Sequence, residues 1–158
     1  MTNWPSDLPV LTIHAADEVR VGWDEEPLKD GAVAVDGHRV AAVGPFTEVT
    51  ERFPGARVRQ WPGGVLGPAL VHEGPLPDAP TPRERVHAVL KGGAVAVLEA
   101  YVPSSDLRSA AERNEVVVLR HTRTPAIAEG ARADLAVFDG EGLCVATVCA
   151  GRLVHRRR

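Results

Sequence analysis

Gly31-Ala32-Val33-Ala34-Val35-Asp36-Gly37-His38-Arg39-Val40-Ala41-Ala42-Val43-Gly44-Pro45 is the stretch on which the reading of the fold turns. Two runs of small apolar and β-branched residues flank Asp36-Gly37. That pattern predicts a hairpin with Asp36 and Gly37 as the central turn residues, both at positive φ. Working outward, residues 10–15 read as a short strand. Residues 47–53 read as one or two helical turns stopped by Pro54-Gly55. Residues 56–61 are strand-like, with Arg57 and Arg59 on one face. Pro62-Gly63-Gly64 predicts a turn, and residues 65–71 a short apolar segment broken at Gly67-Pro68.

The texture changes at residues 72–80, which hold three prolines and a glycine and read as a loop. Thr81-Pro82-Arg83-Glu84 is a capping box: Thr81 is the N-cap, Pro82 the first helical residue, and Glu84 reaches back. Val86, Val89 and Leu90 then share one helical face, and Gly92-Gly93 ends the helix. Residues 94–98 predict a buried strand. Ser104 or Ser105 caps a second helix carrying Leu107, Ala110 and Ala111, with Asn114 closing it in the left-handed conformation. Residues 115–120, with four apolar residues in a row, predict a strand buried on both faces. Helix, strand, helix, strand implies parallel pairing through a crossover. The end returns to β. Residues 133–139 and 143–150 read as strands around a turn at 140–142, then Gly151-Arg152 turns the chain into residues 153–155. The tail Arg156-Arg157-Arg158 reads as solvated.

Composition narrows the class. The 158 residues are 44% hydrophobic and 25% charged, values of an ordinary globular domain. The net charge of −3 and 4% aromatic content argue against a nucleic-acid binder, which would carry a basic excess and stacking platforms. No apolar run approaches the roughly 20 residues that span a bilayer, so no membrane role is expected. The start, Met1-Thr2-Asn3-Trp4-Pro5, lacks the order of a secretory signal. The two cysteines, Cys144 and Cys149, sit an odd number apart in one strand and so point to opposite faces, which disfavours a disulfide. A reduced, cytoplasmic protein is the expectation. A closed (β/α)₈ barrel needs about 250 residues and does not fit. Phosphate loops, Gly-x-Gly-x-x-Gly, Gly-x-Ser-x-Gly and Cys-x-x-Cys motifs do not occur.

The two ends of the chain carry a resemblance. Residues 31–45, with their Asp-Gly turn and closing Gly-Pro, resemble the N-terminal β segment of the amidohydrolase superfamily. Pro68-Ala69-Leu70-Val71 is similar to the family's Pro-Gly-Leu-Val, which leads into the first barrel strand. Thr124-Pro125-Ala126, then Gly130-Ala131-Arg132-Ala133-Asp134-Leu135-Ala136-Val137-Phe138-Asp139, resembles the family's exit from the barrel, and residues 145–154 its closing hairpin. The nearest flavour is the imidazolonepropionase and aminodeoxyfutalosine deaminase branch. The resemblance implies a mainly β fold with an α/β insert. Residues 1–71 and 124–158 would form the small composite β-sandwich, and residues 72–123 a helix-strand-helix-strand remnant of the barrel.

The departures carry the functional expectation. In family enzymes a His-x-His pair of metal ligands follows Pro-Gly-Leu-Val. Here the chain runs His72-Glu73-Gly74-Pro75, and His-x-His occurs nowhere. A hydrolytic zinc site keeps about three protein ligands and a water. No such set can be assembled from matched positions, so no catalytic residue, metal ligand or cofactor is carried over. The weak candidate cluster is His72, Glu73, Glu99 and His121, because parallel strands place ligand sites at their C-terminal ends. His14, His38 and His155 read as structural or exposed, and His87 as a surface residue. Ser105-Asp106 reads as a helix cap. The favoured expectation is a non-catalytic accessory or binding protein that pairs with a second copy or a full-length amidohydrolase relative, because the short parallel sheet leaves edges and apolar surface to cover. The alternative is a metal-dependent hydrolase or deaminase acting on non-peptide carbon–nitrogen bonds of a cyclic amide or amino-purine-like substrate. It would use zinc in a site rebuilt from His72, Glu73, Glu99 and His121 or from a partner. A third reading is a small-molecule pocket between the sandwich and the insert, suited to an apolar ligand.

Overall fold

The computed structural model describes residues 11–157, in which ten strands form two sheets. The strands β1 (Leu11–Val19), β2 (Leu28–Asp36) and β3 (Arg39–Pro45) lead to helix α1 (Phe46–Arg52) and the long strand β4 (Arg57–Pro68). Then come β5 (Leu70–His72), α2 (Pro82–Lys91), β6 (Ala94–Leu98), α3 (Ser105–Arg113) and β7 (Val117–Leu119). The chain ends on β8 (Leu135–Phe138), β9 (Cys144–Cys149) and β10 (Arg152–Arg156). The large sheet has the order β10-β9-β8-β4-β1-β2-β3, so β4 joins strands from the two ends of the sequence. It runs parallel to β1 and antiparallel to β8. The small sheet, β5-β6-β7, is parallel throughout.

The large sheet curls until its two ends meet. One core gathers Val33, Val35 and Val40 from β2 and β3 with Ala146 and Val148 from β9, strands far apart in the sheet order. Trp61, Leu66, Leu135 and Val137 fill the same space. The result is the two-layered β unit expected from the chain ends. Opposite faces alternate cleanly: Ile13, Ala15, Ala32, Ala34 and Ala42 point the other way and are covered by Val49 of α1.

The closure is made by hydrogen bonds between turns. Ala133 N–H donates to the His38 carbonyl at 2.7 Å, Gly151 N–H to Ala133 at 2.9 Å, and His38 Nδ1–H to Ala150 at 3.0 Å. A side chain on Gly151 would collide with the Gly37 carbonyl, which explains a glycine there. Asp134 pins this corner. Its Oδ1 accepts from Arg132 Nε and from the Ala150 N–H, each at 2.9 Å. Ala150 sits at a positive φ of 51° and Gly151 at 84°, the pattern of a type I′ turn, and the bond to Asp134 holds the non-glycine residue in it.

The small sheet packs α2 and α3 on one face. Val86, Val89 and Leu90 of α2 and Leu107, Ala110 and Ala111 of α3 close over Val95 and Val97. Both helices start on side-chain caps: the Thr81 and Ser104 hydroxyls each accept, at 3.1 Å, from the N–H three residues on. Thr147 of β9, fully buried, donates its hydroxyl to the Leu90 carbonyl at 2.7 Å and fixes the helical layer to the large sheet.

Several local expectations change. The hairpin pairs Asp36 with Arg39, so Gly37 and His38 are the central turn residues, with positive φ at Gly37 alone. Pro62-Gly63-Gly64 does not turn the chain. It is absorbed as an irregularity of β4, whose register against β1 slips between Trp61 and Val65. Residues 70–72 form a third parallel strand, too short to show a period. Glu115, not Asn114, takes the left-handed conformation after α3, at φ 59°. The 115–120 run yields only the three residues of β7, half-buried because it is an edge strand without a further neighbour. The tail is tied down: Arg157 NH2 reaches Asp139 Oδ2 at 2.6 Å. The expected first strand begins inside the described residues at Leu11; Val10 and the start of the chain lie outside them, as does Arg158.

Replacing Asp134 by Ala removes the acceptor of both Arg132 and Ala150 in a mostly buried corner. It is expected to cost about 2 kcal/mol and to lower the melting temperature by roughly 4–8 °C. Asp134→Asn, which keeps an acceptor for Ala150, should cost less. A calorimetric scan in which both variants melt like the parent would contradict this role.

Candidate functional site

The three parallel strands end on one rim, where barrel-type sheets place their chemistry. His72 is the last residue of β5, Glu99 follows β6 directly in a single 3-10 turn, and His121 comes two residues after β7. Register makes these strand ends neighbours: His72 pairs with Val97, and Leu98 with Leu119. Glu73, Glu99 and His121 are exposed, and His72 is half-buried. His72 Nε2–H donates to the Pro75 carbonyl at 2.9 Å, so that nitrogen is turned back onto its own loop. Among the described residues, no three His, Cys, Asp or Glu side chains are grouped so as to hold a metal ion. The strand ends are brought to one rim, but they do not fit a hydrolytic zinc site, which needs its ligands converging on a single point.

The two cysteines are free and offer no nucleophile. Burial pushes the Cys149 thiol up to about 11, against the opposing charge of Arg132, so it stays protonated at neutral pH. Its sulfur lies beside Arg132 NH2 at 3.1 Å. Ser104 is the cap of α3, and Asp106 lies in its acidic first turn. A cavity of about 270 Å³ does lie between the two sheets, lined by Leu70, Val71, Val95, Arg123, Arg132 and Asp134 among others. Its three charged side chains make it more polar than the apolar pocket expected there. Among the described residues, no helix is long and apolar enough to cross a membrane.

His14 is the group the sequence undervalued. It lies in mid-β1, on the inward face with Val33, Arg59 and Trp61, and is only 3% exposed. Trp61 Nε1–H donates to His14 Nδ1 at 3.3 Å, and the rings stack with centroids 6.3 Å apart. Indole nitrogen can only donate, so Nδ1 is bare and the imidazole proton sits on Nε2. Burial first, and then the charge of Arg59, lower its pKa to about 4. The one sequence signal was the pair Arg57 and Arg59, alternating with Trp61 on a face that turns out to be the core face.

These features can be set against known proteins. Residues 31–56, which make up most of β2, all of β3 and α1, match the imidazolonepropionase-like composite domain, bacteria. No curated protein matches the chain in sequence. The fold is similar to a part of several larger solved structures. The structure of an adenosine deaminase from Xanthomonas campestris with bound zinc is 19% identical, with a TM-score of 0.55 over 76% of this chain and 37% of that one. A. niger ochratoxinase is 19% identical, with a TM-score of 0.53 over 71% and 31%. E. coli guanine deaminase is 16% identical, with a TM-score of 0.52 over 69% and 35%. The chain thus spans about a third of the solved structures it matches. Residues 31–56 are similar to the imidazolonepropionase-like composite domain, and much of the chain shares its fold with a part of each of those structures.

His14 ionises harder in the folded protein than in the unfolded chain, where it titrates near 6.5. Its folded pKa is lowered, so the unfolded chain binds more protons between the two values, and stability rises with pH there. The contribution is complete above about 6.5 and is lost as pH falls towards 4, by about 3 kcal/mol. Denaturant unfolding at stepped pH should show this loss in the parent and not in His14→Phe. Equal slopes in both would contradict it.

Proposed function

We propose that the protein is a non-catalytic accessory or binding protein, built on the composite domain of an amidohydrolase and acting in the cytoplasm with a partner. The observation that carries this reading is the three-stranded parallel sheet. It falls in sequence between β4 and β8, with β5 and β7 as its edges among the described residues. A barrel would enclose the side of these strands turned from the helices. Here Val71, Ala96 and Val117 stand side by side on it, followed by Leu98 and Leu119, and all but Ala96 are only half-buried. Parallel strands are stable when both faces are covered, and an open edge offers unpaired N–H and C=O groups. Together with the missing His-x-His, this favours a truncated barrel that needs cover more than a complete catalytic centre. A second copy or a full-length amidohydrolase relative has the matching chemistry.

A second reading keeps His72, Glu99 and His121 as ligands because they follow three adjoining strands. The protein would then be a metal-dependent hydrolase or deaminase of non-peptide carbon–nitrogen bonds, with zinc and further ligands supplied by a partner. The names of the similar structures support that chemistry only for those proteins.

Light scattering at micromolar concentration is expected to give twice the chain mass of 16.9 kDa, and a charged substitution, Val117→Glu, to return it to the single mass. A monomer that also fails to associate with a full-length relative would remove the reason for a partner.

A further inference from the structure

Two arginines on a core-facing surface break the alternation of an otherwise apolar sheet interior, and such breaks mark sites that serve something other than packing. Arg57 and Arg59 of β4 pair in register with Thr12 and His14 of β1. Two residues on, Ala16 pairs with Trp61, and both belong to the inner core. The inward face of the curled sheet therefore changes along β1 and β4 from apolar to cationic, and it does so at the end where the turns close. The mouth is a cavity of about 350 Å³, within the usual range for small-molecule sites. Thr12, His14, Arg57 and Arg59 line it on one side and His38 and Arg152 on the other. Gly37, Gly151 and Leu153 complete it, and among the described residues no carboxylate lines it.

The guanidinium groups of this mouth are donors only, and so is the protonated nitrogen of His14. His14 carries its proton on Nε2, because Nδ1 is taken by Trp61. Among the described residues nothing accepts from Nε2, yet no atom of the ring is both sealed from solvent and unpartnered. The His14 ring is itself part of the cavity lining. Among the described residues Arg57 and Arg59 have no carboxylate within 4.0 Å, whereas Arg152 reaches Glu115 at 2.8 Å. This N–H donor lies beside two guanidinium groups with no carboxylate partner, and forked guanidinium donors match planar or tetrahedral oxyanions.

We propose that this mouth binds a small molecule through an oxyanion group, a phosphate or a carboxylate, held by Arg57, Arg59 and the Nε2–H of His14. The site lies in the composite unit, away from the parallel rim, and does not depend on what covers the small sheet.

Titration of the full chain with inorganic phosphate and, separately, with acetate, followed by ¹H–¹⁵N spectra, tests it. Saturable shifts are expected at Thr12, His14, Gly37, Arg57 and Gly151 with at least one of the two anions. The stronger anion identifies the group as phosphate or carboxylate. Affinity should fall at least about tenfold in Arg59→Gln and in Arg57→Gln, the latter an exposed position where folding is not at risk. Arg113→Gln, at the far end of α3, should leave it unchanged. Absence of saturation with both anions, or equal loss in Arg113→Gln, would overturn the proposal. So would shifts confined to the Arg156–Arg157 end.

Discussion

The corner where Asp134 receives both Arg132 and the Ala150 N–H is the constraint on which this molecule rests. The large sheet has strands from both chain ends, and a curled sheet of that kind closes only if its far edges are held together. The bonds from Ala133 and Gly151 to the turn-side carbonyls, with the glycine contact at Gly37, do this without a side chain in the way. Once the corner is closed, Val33 and Val35 meet Ala146 and Val148, and the inner core becomes continuous. The same closure sets Arg57, still exposed, and the half-buried Arg59 along the wall of a mouth. Burial opposes the charge of Arg132, but the hydrogen bond and charge of Asp134 outweigh that penalty and raise its pKa above the ordinary value.

Much of this was legible in the residues, for identifiable reasons. The hairpin around Gly37, the capped start of α2 and the strands of the C-terminal half announce themselves through local chemistry: turn residues, a capping hydroxyl, runs of β-branched side chains. What local chemistry could not give was register. Pro62-Gly63-Gly64 looks like a turn by composition, but the pairing of β4 with β1 before it and after it carries the strand through as a bulge. The strands β5 and β7 are three residues long, and their existence depends on β6 lying between them. The left-handed residue after α3 fell on Glu115 because Asn114 instead turns its amide back to the Ala110 carbonyl at 2.8 Å.

The candidate site was less legible, and the reason is also long-range. His72, Glu99 and His121 follow three adjoining parallel strands, but proximity of strand ends does not aim side chains. His72 spends its Nε2 on Pro75. His14 gave no sign of its role, since a lone histidine in a strand is usually a satisfied core or surface residue. Its importance comes from Trp61, 47 positions away, which sets the tautomer. The picture is then of a curled β sheet with its own core and a cationic mouth, and of a short parallel sheet inserted in sequence between β4 and β8.

Metal content bears on that picture most directly. Protein purified without a histidine tag from zinc-supplemented growth should contain far less than one zinc per chain, and replacing His72 and His121 together by alanine should change neither that content nor the melting temperature. One tightly held zinc per chain, lost in the double variant along with stability, would contradict it and return the rim to the role of a hydrolytic centre.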